Sequence, residues 1–130
     1  MPKTTYLENQ LMNWIKGSGF ASAPANVYLS LWNGSPTITG TSGTEVTTTV
    51  RVAGRMACAF GSITAGVMAN SALIDFGNAA GAATISHFGI HDSQSGGTML
   101  GFSPLTGGSQ AIAQGTDVQF AIGSITWTES

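Results

Sequence analysis

Two periodicities divide the chain near residue 20. Before it, Leu7, Leu11, Trp14 and Ile15 recur at spacings of 4, 3 and 1, which places them on one stripe of a helix with 3.6 residues per turn. Thr5-Tyr6-Leu7-Glu8 has the form of a capping box, a hydroxyl at the helix start and a carboxylate three residues on. Gly17 and Gly19 supply the stop. A helix of under four turns is marginal in water, so its apolar stripe is expected to dock, on its own domain or on a neighbouring subunit.

Beyond residue 20 the period becomes two. In Val27 to Trp32, Val27, Leu29 and Leu31 share one face, and Tyr28, Ser30 and Trp32 the other. The stretch from Ile85 to Leu100 reads as a central β-hairpin. Ser86, Phe88 and Ile90 lie on one side of its first strand, with Ile85, His87, Gly89 and His91 on the other. Phe88 and Ile90 are expected to face the core, and Asp92 to Gly97 carries the turn chemistry. Further strand candidates span residues 45–52, 55–60, 63–68, 72–76, 118–122 and 124–128, with a tight turn at 69–71. Residues 33–44 and 101–109 read as loops, and residues 77–84 as a small-residue linker. About eight or nine short strands with regular turn signals predict an all-β fold, a single-domain β-sandwich of jelly-roll type with a short N-terminal α-helix. Residues 1–19 form the helix and arm of this single domain, and residues 20–130 the sandwich.

Composition changes the picture in one respect. Only 8% of residues are charged, where about a quarter is usual. A surface so poor in charge keeps neighbouring molecules apart weakly, which suits a chain covered by its own copies or by a partner. The formal net charge is −2, and Lys3, Lys16, Arg51 and Arg55 are scattered, so no nucleic-acid partner is expected. No apolar run is long enough to span a bilayer, so no membrane partner is expected either. The N-terminal residues lack a secretory pattern, and the lone Cys58 sits among Ala57, Ala59 and Phe60 as a small buried hydrophobe. Folding in a reducing cytoplasm fits both.

Catalytic constellations fail one by one. His87 and His91 are four residues apart on a strand, roughly 13 Å between Cα atoms, too far to share one metal ion. No Gly-x-Ser-x-Gly elbow exposes a nucleophile. The acids Glu8, Glu45, Asp75, Asp92, Asp117 and Glu129 occur singly, unlike the paired carboxylates of glycoside cleavage. The glycine-rich stretches lack a phosphate-loop ending. The reading is therefore a non-enzyme, with no cofactor, metal or small-molecule substrate. Candidate interface residues are the helix stripe Leu7, Leu11, Trp14 and Ile15, together with Trp32, Arg51 and Arg55. For the arginines a solvated face is the competing reading, and for the tryptophans, Trp127 included, core packing.

With these motifs in order, the chain resembles a family of small bacteriophage virion proteins. The resemblance runs from the helix at 5–15 through Val27-Tyr28-Leu29-Ser30-Leu31-Trp32 to Gly43-Thr44-Glu45-Val46. It continues through Ser86-His87-Phe88-Gly89-Ile90-His91-Asp92 and Gly96-Gly97, and ends with Gly115-Thr116-Asp117 and Gly123-Ser124-Ile125-Thr126. Family members are often labelled tail-fibre proteins, and similar proteins act as capsid cement or decoration subunits, commonly as trimers. The family's Gly-Gly-aromatic-Ala-Arg run is replaced here by Thr48-Thr49-Val50-Arg51-Val52, so no functional residue is carried over from it. The resemblance implies a structural virion protein on the capsid surface, a homotrimer bridging major capsid protein subunits. The alternative is a tail-fibre or receptor-binding module, for which Tyr28 and Trp32 beside Asn33 would form the aromatic platform.

Overall fold

The computed structural model describes residues 1–129. In chain order the elements are α1 (Thr5–Ile15), β1 (Tyr28–Asn33), β2 (Thr44–Glu45), α2 (Thr47–Val50), β3 (Met56–Ala57), β4 (Val67–Ala69) and β5 (Ile74–Asn78). They continue with β6 (Ala83–Ile85), β7 (His87–His91), β8 (Met99–Pro104), β9 (Gln110–Ile112), β10 (Asp117–Phe120) and β11 (Thr126–Thr128). The strands are shorter and more numerous than the alternation alone suggests, but the all-β expectation holds, with every pairing antiparallel.

The central sheet runs β2-β1-β7-β8, with β3 also on β1. β7 pairs along β1 from His91 to His87, so β2 and β3 take the two ends of its other edge. Leu29 lies opposite Ile90 and Leu31 opposite Phe88; all four are buried on the same face. Against that face pack three two-stranded ribbons, β5-β10, β4-β11 and β6-β9. They contribute Ile74, Phe76, Val118, Trp127 and Ile85 to one continuous core. The second layer is thus divided into ribbons, each burying its apolar side against the unbroken sheet.

The opposite face of the central sheet is buried too, which the alternation did not announce. Trp32, Met99 and Phe102 form a second cluster there. Gly89 makes it possible, because a Cβ at that position would collide with the Met99 side chain. Gly101 on β8, opposite Ile90, makes room for the inner core instead: a Cβ there would lie 2.6 Å from the Trp127 ring and 2.9 Å from the Pro2 carbonyl. Residues 2–4 run along this outer edge: Phe102 N–H donates to Pro2 O at 3.1 Å, and Thr4 N–H to Leu100 O at 3.0 Å.

Several local expectations need correction: only Val67 and Met68 of the strand expected over 63–68 are in a strand, Ala69 of the expected turn belongs to β4, and both ends of the expected linker at 77–84 lie in β5 and β6; three more show the cause. The helix spans the expected residues, but Thr4, not Thr5, is its N-cap, and no side chain caps it. The Thr4 hydroxyl instead donates to Met99 O at 2.7 Å, while the Thr5 N–H is satisfied by Ile38 O at 2.9 Å. Contacts with the rest of the fold replace the capping box. Residues 45–52 do not form one strand; β2 ends at Glu45 and α2 follows. The Thr47 hydroxyl accepts the Leu31 N–H at 3.0 Å and Val50 enters the core, so packing overrides the strand preference of a Thr/Val run. Residues 101–104, expected in a loop, continue β8, because β7 supplies partners as far as His87 opposite Pro104.

Candidate assembly interface

Helix α1 is closed at its far end by paired bonds, Gly17 N–H to Trp14 O at 3.1 Å and Ser18 N–H to Asn13 O at 2.9 Å. None of its residues is fully buried. Leu7 packs against the core, and Leu7 and Leu11 form one wall of an apolar groove of about 510 Å³. Phe20, Ile63, Met68 and Trp127 complete its sides and floor. Beyond the groove, Trp14 and Ile15 stand 66% and 71% exposed. The stripe therefore divides. Its first half touches the body of the protein, and its second half projects into solvent.

The other candidates lie elsewhere. Trp32 is only 6% exposed. Its indole Nε1 donates to Ser30 Oγ at 2.8 Å, and its ring stacks on His91 with centroids 6.2 Å apart. It is not available as an interface anchor or as a platform for a receptor, since neighbouring backbone and the Met99 and Phe102 side chains cover it. Arg55, 7% exposed, makes a two-pronged bond to Glu45, Nε to Oε2 and Nη2 to Oε1, each 2.9 Å. Its Nη1 donates to Ser93 O at 2.9 Å and Gly96 O at 2.7 Å. Arg55 thus locks the hairpin turn to β2, in place of both the interface and the solvated face expected for it. Arg51 is half-buried and its Nη1 donates to Gly54 O and Arg55 O, both at 3.1 Å. Of the seven candidates, only the four on α1 share a surface. Phe20 and Ile63, absent from the sequence reading, enlarge it; Phe20 follows Gly19 immediately after the helix stop, and that apolar residue beyond a cap was its one local signal.

The titratable groups inside the fold serve structure. Burial pushes the Cys58 thiol up to about 12, which keeps it neutral and unreactive. Burial, with the Arg55 charge, pulls His91 down to about 4, against the smaller opposing influence of Glu45 and Asp92. His91 Nδ1 shares a hydrogen bond of 3.0 Å with the Ser30 hydroxyl, and the same hydroxyl lies 3.3 Å from Gly89 O. Burial alone would raise the Glu45 carboxyl; the Arg55 bonds and charge outweigh it and hold Glu45 below its ordinary value. On the surface Gln119 Nε2 bridges Asp75 and Asp117. The Gly77 N–H holds Asp75 low, while the neighbouring Asp75 carboxyl raises Asp117. Among the described residues no three His, Cys, Asp or Glu side chains converge as metal ligands.

No curated protein matches this chain. Residues 2–128 match the family described as Podophage GP4 fiber I protein gp80, which covers the helix, both layers of the fold and the groove between α1 and the ribbons. The chain belongs to that family, and is accordingly a structural, fiber-type protein of the bacteriophage virion.

Proposed function

We propose that this chain is a tail-fibre subunit seated in the virion by the α1 groove and the projecting end of the helix. The observation that carries the reading is the divided stripe: one helix lines an apolar groove with Leu7 and Leu11 and presents Trp14 and Ile15 beside it. Removing such a surface from water stabilises association by about 25 cal/mol per Å² before the cost of immobilising two bodies. A surface with few charges adds little repulsion to oppose it.

A second reading is the capsid cement subunit, in which homotrimers use the same surface to bridge major capsid protein subunits. The 8% charge content favours it as well, since a decoration layer places many copies side by side. Electron microscopy of the particle separates the two by position: density on the tail supports the fibre subunit, density over the capsid lattice the cement subunit. Leu11→Asp tests the seating common to both. It is expected to lower the copies per virion at least about tenfold, equivalent to 1.4 kcal/mol, with the melting temperature of the isolated chain little changed. Full incorporation of Leu11→Asp would rule the groove out as the seat.

A further inference from the structure

We infer that a second surface, the cleft between β9 and β10, accepts an extended strand from a different virion subunit. Strands β9 and β10 follow one another through residues 113–116, yet they do not pair; β9 pairs with β6 and β10 with β5. Between them opens a cleft of about 350 Å³, floored by Ile85 and Phe88. All four consecutive residues of β10, from Asp117 to Phe120, border it. Side chains alternate along a strand, so consecutive residues meet one cleft only along the strand's edge. Among the described residues, no backbone bond other than those of the β5 pairing reaches residues 117–120. The cleft therefore combines an open row of backbone donors and acceptors with an apolar floor, the two elements by which an added strand is held.

Charge identifies the occupant. Asp117 lies on the cleft wall and shares the Gln119 amide with Asp75. Two neighbouring carboxylates favour an incoming Lys or Arg and disfavour a second copy of the same edge, which would add two more. Among the described residues, the basic positions of this chain are already engaged within its own fold, the extended one included. Lys3 is paired with Glu129, Arg51 and Arg55 are bonded to carbonyls and Glu45, and Lys16 caps a helix. The occupant is a strand of alternating apolar residues carrying a basic residue, from another protein of the particle. This surface is separate from the α1 groove and stands or falls independently of it.

Amide hydrogen exchange of the full chain, isolated and within purified virions, tests the inference. Amides of residues 117–120 are expected to exchange at least about tenfold more slowly in the virion; equal rates would overturn it. A photoreactive residue at position 119 should cross-link to a different virion protein near a Lys or Arg, and a cross-link to a second copy would overturn the assignment. Asp117→Lys, at an exposed position, should fold normally and reduce incorporation, and incorporation at the unmodified level counts against the charge argument.

Discussion

The two faces of the central sheet are both buried, and they are held in different ways. On one, Leu29, Leu31, Phe88 and Ile90 meet the ribbons through apolar contact alone. On the other, Ser30, Trp32 and His91 form a hydrogen-bonded and stacked group, with the Arg55–Glu45 pair near enough to act on His91. The first face tolerates small lateral shifts, because dispersion and hydrophobic contact are not directional. The second does not, because each donor there has a specific acceptor. The apolar face supplies most of the stability, and the polar face fixes the register of β1 on β7 and the position of the hairpin turn.

This contrast can be broken from either side. The largest effect belongs to the apolar face: Leu31→Ala should destabilise the fold by about 4 kcal/mol through lost burial and a residual cavity, read by chemical denaturation. Next comes the polar side. Arg55→Ala leaves Glu45 and two turn carbonyls without their donor, and should cost about 3 kcal/mol, with faster amide exchange in residues 92–98. The smallest effect is tuned by acid. Because His91 is held near 4 in the folded chain and its ordinary value is about 6.5, the unfolded chain binds the extra proton between these limits. Stability should therefore fall as pH drops from 6.5 to 4, by on the order of 2 kcal/mol. His91→Gln should flatten that part of the pH profile, while Leu31→Ala should leave its shape intact.

Sequence periodicity revealed what depends on neighbours along the chain. The bounds of α1, the faces of β1 and the turn between β7 and β8 follow from spacing and from the Asp92 and glycine chemistry, and Asp92 does accept the Thr98 N–H at 2.7 Å. What it concealed depends on distant partners. Trp32 looked exposed because alternation places it opposite Leu31, and nothing local states that the outer face is covered. Arg55 finds Glu45 ten residues away through the β2 connection, a pairing no periodicity encodes. Asn70 read as a turn residue; it is buried, donating to Ala72 O and Ala121 O and accepting the Ile125 N–H at 2.9 Å. Of the candidate interface, the helix stripe was legible, and the groove beneath it was not, since Phe20, Ile63 and Met68 arrive from separate segments.

The arm along β8 carries a consequence for engineering. The Met1 amino group lies 3.4 Å from Thr128 O, so a brief peptide joining Met1 to Glu129 would close the backbone into a ring with little loss of freedom. New ends could then be opened at residues 106–109, a surface turn between β8 and β9. Such a circular permutant should keep the same tertiary contacts while carrying a fused cargo from an entirely different side of the molecule.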